Sequence, residues 1–133
     1  ADDVVRITRV ASGRIVGTAP EATKYLIEVR GIGIVDVRYL FGVGSAVNEK
    51  SIDFIMDLEM FDPTAQYERI GAREKRTELL GVDIPTTVLP VSPGRNIAVV
   101  VEVAARNFLL KKLGYDTSGH FAKRMESIFE GKK

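Results

Sequence analysis

The run Glu28-Val-Arg-Gly-Ile-Gly-Ile-Val-Asp36 sets two acids, an arginine and two glycines among apolar neighbours. Charged groups in apolar company call for a partner. Glycines at that spacing let backbone amides approach a ligand closely. The run therefore predicts a loop that receives a charged ligand, with a metal or a phosphate as the first choice. It also misses the dinucleotide-binding fingerprint. In Gly31-Ile-Gly33-Ile-Val-Asp36 an acid stands where the third glycine belongs, and the segment ahead reads as a helix, not a strand.

Working outward, Thr18-Ala-Pro-Glu21 matches a capping box with proline in the first turn, which predicts a short helix from about residue 19. Before it, strand signals cover residues 4–10 and 15–17, split by Ala11-Ser12-Gly13. After the run, Asp36–Phe41 predicts a short helix stopped by Gly42 and Gly44. Residues 51–60 alternate, with Ile52, Phe54, Met56, Leu58 and Met60 on one face and Asp53, Asp57 and Glu59 on the other, as in a strand buried on one side. Asp62-Pro63 turns the chain, and 67–70, 76–80 and 85–91 read as further strands. Asn96 suits an N-cap, and 97–113 predicts a largely buried helix ending near Gly114. A last helix over 117–130 places Phe121, Met125, Ile128 and Phe129 in one stripe. Mixed strands and helices predict an α/β domain with a mixed sheet and flanking helices.

Composition bounds the function. The chain has 133 residues, 45% of them apolar and 28% charged, enough for one globular domain or a piece of one. A net charge of +1 argues against nucleic acid as a partner. No apolar run reaches the roughly 18 residues of a membrane span. The absence of cysteine removes disulfides and thiolate metal sites, and the one histidine, His120, removes a multi-histidine centre. The chain opens directly on a strand-like stretch, which predicts a fragment whose earlier part lies elsewhere.

Four constellations could carry chemistry, and each has a plainer reading beside it. Asp2-Asp3 is either an exposed acidic pair or a strand-end pair in which one carboxylate orients a metal and the other takes a proton. Glu28 and Arg30 could pair with each other at the surface. Arg69, in Tyr67-Glu-Arg-Ile-Gly71, could sit in a cross-strand ion pair. Pro90-Val-Ser-Pro-Gly-Arg95 is either an ordinary strand-to-helix turn or an anion site, with Gly94 and Arg95 beside the free amides that follow Asn96. His120 reads as a surface residue, and Lys123, Arg124, Lys132 and Lys133 as a solvated face.

In order along the chain, Ala1-Asp2-Asp3, Ile27–Asp36, Leu40-Phe-Gly-Val-Gly44, Tyr67–Gly71, Pro90–Asn96 and Glu102-Val-Ala-Ala105 resemble the C-terminal catalytic part of bacterial HPr kinase/phosphorylase. Each block is weak alone; the collinear set, spanning nearly the whole chain, is specific. The resemblance implies that residues 1–133 are the C-terminal part of a catalytic domain with a phosphoenolpyruvate carboxykinase-like phosphate-loop kinase fold. It implies a bifunctional enzyme that phosphorylates a serine of the phosphocarrier HPr with ATP or pyrophosphate and removes that phosphate by phosphorolysis with inorganic phosphate. It further implies Mg²⁺, a homohexamer and a cytoplasmic location. Residue by residue, Asp3 matches the family's proton acceptor and donor, Asp2 its acidic neighbour, Glu28 a Mg²⁺ ligand and Arg69 a catalytic arginine. Ile27–Asp36, with Arg30, Gly31 and Gly33, matches the segment used in both directions. Pro90–Arg95 matches the loop tied to dephosphorylation. Ser92 departs from the usual lysine or arginine. The family's phosphate loop, with its lysine, and its catalytic histidine are expected upstream of Ala1, so the chain alone is expected to be inactive. A non-catalytic module that keeps the fold for oligomerisation or anion binding is the rival reading.

Overall fold

Where the backbone turns sharply, glycine supplies the left-handed conformation that other residues avoid. The computed structural model describes residues 1–67 and 75–131. Strands β1 (Arg6–Val10) and β2 (Arg14–Thr18) pair antiparallel around a turn in which Ser12 and Gly13 have φ of 75° and 70°. β3 (Leu26–Val29) and β4 (Gly33–Asp36) form a hairpin that runs into α1 (Val37–Phe41). β5 (Glu49–Ser51) joins the other edge of β2. β6 (Ile55–Met60), β7 (Lys75–Leu79) and β8 (Val82–Val91) make a third sheet in the order β6-β8-β7. Helices α2 (Ile97–Lys112) and α3 (Thr117–Glu130) complete the chain. The fold class is α/β, as expected, with its strands shared among three sheets.

The chain divides into two units, residues 1–55 with 75–86, and residues 56–74 with 87–133. In the first, consecutive β-branched residues Ile15 and Val16 are both buried, so β2 is covered on both faces there. Ile84 and Thr86 of β8 are buried as well. The Thr86 hydroxyl lies 2.6 Å from that of Thr77 and donates to the Ile84 carbonyl, so its burial leaves no unmet polar group. Leu80 and Gly81, both at positive φ, make the two-residue link between β7 and β8.

In the second unit, Asn96 caps α2 by accepting from the Val99 amide, and Asp116 caps α3 by accepting from the Ser118 amide. No residue of α2 is buried. Val100, Val101, Ala104, Ala105 and Phe108 line a half-buried face, whereas Val99, Val103 and Leu110 are exposed on another side. The expectation of a largely buried helix is thus corrected: α2 is apolar on two sides, one half-buried and the other exposed.

Four other expectations change. Thr18 is held in the β2 ladder opposite Arg6 and Glu49, so the predicted helix near residue 19 is only a 3-10 turn over Glu21–Thr23, without a side-chain cap. The expected strand 51–60 is two strands that join different sheets; the Ile52 amide donates to the Ile15 carbonyl between them, and Leu58 and Met60 are exposed. The strand expected from residue 85 begins three residues earlier, because the Leu80-Gly81 turn sets its start. Within the expected strand 67–70, Tyr67 is not in a strand; its ring stacks on Phe61, and the remainder lies outside the described residues.

Candidate functional site

A sixth correction concerns Glu28–Asp36. Residues 28–36 are not a loop but most of a β-hairpin, in which Leu26, Ile27, Glu28 and Val29 face Asp36, Val35, Ile34 and Gly33 in antiparallel register. The β-branched Ile27, Val29, Ile34 and Val35 favour that extended form. The turn between them is Arg30-Gly31-Ile32, closed by the Ile32 amide on the Val29 carbonyl at 3.0 Å. Gly31 has φ of 87°, at the position where a type II turn requires a positive value.

Burial falls along the hairpin. Leu26, Val35 and Asp36 at its base are half-buried, while Arg30, Gly31 and Ile32 are exposed, Ile32 to 76%. Opposite residues of an antiparallel pair share a face, so Leu26, Glu28, Ile34 and Asp36 lie on one side of the ribbon. The Glu28 amide donates to Oδ2 of Asp2 at 3.0 Å, across 26 positions of sequence. This contact brings the acid pair to the hairpin. Among the described residues no ion pair joins Glu28 to Arg30, and no hydrogen bond engages the Asp3 carboxylate, so Asp3, Glu28 and Arg30 stand open to solvent.

The base is built differently. Asp36 caps α1 by accepting from the Arg38 amide at 2.9 Å, and takes the Arg38 guanidinium at 3.0 Å through Nε and 2.6 Å through Nη2. That guanidinium holds the Asp36 carboxyl below its ordinary range, and the carboxylate in turn raises Arg38. Arg38 also lies 3.9 Å above the centre of the Tyr25 ring. The Tyr25 hydroxyl donates to Oδ1 of Asn48 at 2.6 Å. Sequence reasoning placed Asp36 among the ligand-facing acids and missed Tyr25, Arg38 and Asn48. The two-residue spacing of Asp36 and Arg38 was the available signal.

The second candidate lies in the other unit. Gly94, at φ of 82°, and Arg95 occupy the connection between β8 and α2. The Arg95 amide donates to the Ser92 carbonyl at 3.2 Å, and its guanidinium reaches back to the Pro90 carbonyl at 3.5 Å. Among the described residues, Val91 at its start accepts from the Phe61 amide at 2.8 Å, and the hydrogen bonds of residues 92–95 are local. Arg69 lies outside the described residues.

Among the described residues, no three acidic or imidazole side chains converge on one point. Glu28 beside Asp2 still fits Mg²⁺, which takes one or two carboxylates and completes its shell with water and phosphate oxygens. No helix of the described residues is long and apolar enough to cross a membrane.

These observations define an α/β domain that presents an acidic, glycine-turned hairpin. The chain belongs to the HPr serine kinase C-terminal domain family, whose model matches residues 1–125. It is 42% identical to the HPr kinase/phosphorylase of Geobacillus thermodenitrificans over 134 residues, which is all of this chain and 43% of that protein. It is 46% identical to that of Caldicellulosiruptor bescii over 126 residues, 95% of this chain and 40% of the relative. The chain thus spans about two fifths of the length of these curated relatives. Its fold matches the structure of the Hpr(Ser) kinase/phosphatase from Coxiella burnetii with a TM-score of 0.75 and 29% identity, over 88% of this chain and 71% of that one.

Proposed function

We propose that this chain is the C-terminal part of the catalytic domain of a bifunctional HPr kinase/phosphorylase, and that the hairpin with its acid pair serves both reactions. The observation that carries the reading is the bond from the Glu28 amide to Asp2, which places two family-matched site residues together despite their separation in sequence. In the forward direction the serine hydroxyl of HPr attacks the terminal phosphorus of ATP or pyrophosphate. The bond to the leaving ADP or phosphate breaks, and the serine proton passes to Asp3. In reverse, an oxygen of inorganic phosphate attacks the phosphoserine phosphorus, the serine oxygen leaves with the proton from Asp3, and pyrophosphate forms.

Glu28 would hold Mg²⁺, which when bound offsets the charge of the phosphates. Arg30 and Arg69 clamp the moving charge, and the amides about Gly31 and Gly33 let the phosphates come close. Gly94 and Arg95, with the amides after Asn96, capture the inorganic phosphate used in reverse. On this reading a phosphate loop and its lysine, a pattern these 133 residues do not contain, hold the nucleotide in line, so a polypeptide of these residues alone is expected to turn over neither reaction. The exposed Val99, Val103 and Leu110 of α2 and Phe121, Ile128 and Phe129 of α3 favour assembly, as a homohexamer in a cytoplasmic enzyme, with HPr as the protein substrate.

Asp3→Asn in the full-length enzyme tests the reading. Asparagine keeps the shape but exchanges no proton, so both rates fall to background while ATP still binds. Near-normal turnover in either direction would make Asp3 structural, whereas a wild-type enzyme without either activity would return the chain to a non-catalytic module.

A further inference from the structure

We propose that Tyr25 and Arg38 are positioning residues that lock the base of the β3–β4 hairpin and so set where Glu28 stands. The proposal rests on the reading of Glu28 as a Mg²⁺ ligand given above.

Tyr25 has φ of 68°. A residue with a bulky side chain seldom adopts that conformation, and it persists where its surroundings hold it. Here both halves of the residue are used. The Tyr25 carbonyl accepts from the Val37 amide at 3.0 Å, closing the ladder one step beyond the Leu26 and Asp36 pair. The ring lies under the Arg38 guanidinium at 3.9 Å, with the Lys24 ammonium 5.2 Å from its centre, and its hydroxyl is tied to Asn48. Arg38 in turn grips Asp36, directly across the ribbon from Leu26. Glycine would meet the backbone demand at position 25 without strain, but it would bring no ring for Arg38 to lie on.

The consequence is a lever with a fixed end. Glu28 sits two residues from Leu26 on the same face as Asp36. Its amide is turned outward to Asp2, so within the ribbon Glu28 is carried by the steps on either side, which run back to the Tyr25 and Val37 bond at the base. On this proposal the clamp at the base, together with the Asp2 bond, sets the orientation of the Glu28 carboxylate. Groups that orient a metal ligand without touching the metal change metal affinity or activity when removed.

The test compares Tyr25→Gly, Tyr25→Phe, Arg38→Gln and Glu28→Gln in the full-length enzyme. Hydrogen exchange is followed at residues 26–37, and the kinase rate is titrated with Mg²⁺. Tyr25→Gly keeps the backbone conformation and loses the stack. It is expected to speed exchange at Val35 and Val37 and to raise the half-maximal Mg²⁺ concentration roughly tenfold, with the KM for HPr unchanged. Arg38→Gln is expected to match it and guards against a folding defect peculiar to glycine. Tyr25→Phe restores the stack and with it most of the protection and Mg²⁺ affinity. Unchanged exchange in both Tyr25→Gly and Arg38→Gln overturns the clamp. Faster exchange with an unmoved Mg²⁺ curve also overturns it, provided Glu28→Gln does shift that curve. If Glu28→Gln leaves the curve in place, the site reading has failed, the positioning proposal built on it is overturned, and exchange reports only a structural clamp.

Discussion

The β3–β4 hairpin and the Pro90–Arg95 connection are both glycine turns beside an arginine, yet they are held in opposite ways. The hairpin is fixed by contacts from far along the chain: Asp2 on the Glu28 amide, and Asn48 on the Tyr25 hydroxyl. In the connection before α2 only Val91, at the end of β8, takes a distant partner, the Phe61 amide; the turn itself, residues 92–95, is held by its neighbours, Ser92 on the Arg95 amide and Pro90 on the Arg95 guanidinium. A site anchored at long range can keep its groups in place for chemistry, whereas a locally held turn can rearrange at little cost to the rest of the unit. On the proposed function, the hairpin serves the phosphoryl transfer common to both directions, and the connection serves only the direction that must capture a small free anion.

Glu28→Gln should produce the largest effect separating the two regions. In the full-length enzyme it should slow both directions by on the order of a hundredfold at fixed Mg²⁺, the scale of losing one group that stabilises developing charge. Steady-state rates in both directions check this, and a loss in one direction alone would break the assignment. Arg95→Ala should come next and act on one side. Losing a charge-assisted bond worth roughly 1.5–3 kcal/mol should slow phosphorolysis about ten- to a hundredfold and spare the kinase reaction. Ser92→Arg, which adds a cation to that turn, should lower the phosphate requirement. A phosphate titration of both variants is the measurement.

Glycine substitutions should be smaller and should sharpen the same contrast. Gly31→Ala and Gly94→Ala each force a Cβ into a left-handed turn with no steric contact around it, at φ of 87° and 82°. Each should therefore lose about 1–2 kcal/mol from conformation alone. Urea unfolding would read the loss, and its functional share should follow the region: both directions for Gly31, phosphorolysis for Gly94.

The smallest effect concerns pH at the hairpin base. Arg38 lowers the Asp36 pKa in the folded chain, so the pair's stabilisation is complete above the unfolded carboxylate range, about pH 4, and is lost as pH falls through the lowered value. Wild type should therefore exceed Asp36→Asn in stability by a constant margin from neutral pH down to that range, and the margin should close below it. A margin that instead grew on acidification would contradict the pairing.

Much of the fold was legible because local rules decided it. α3 runs over Thr117–Glu130 as its apolar spacing required, and α1 ends at Gly42, whose amide donates to the Arg38 carbonyl at 2.8 Å. The misreadings share a cause in long-range pairing. Thr18 looked like a helix cap, but the β2 ladder takes its backbone. The run 51–60 looked like one strand, but its ends join different sheets. In the site, the glycines of Glu28–Asp36 were weighted above its β-branched residues, so a hairpin read as a loop. The acids, the arginines and the turn glycines could be found by residue type and order. The clamp could not, since nothing local announces that Tyr25 will meet both Arg38 and Asn48.

Hydrogen exchange of the full-length enzyme, free and then with Mg²⁺ and ATP or with inorganic phosphate, tests the contrast most directly. The account predicts that Val35 and Val37 at the hairpin base are protected without ligand, that residues 30–33 at its tip gain protection with Mg²⁺ and ATP, and that residues 93–95 gain it with inorganic phosphate. Equal gains at base and tip, or a 93–95 connection that responds to Mg²⁺ and ATP while the hairpin tip does not, would contradict it.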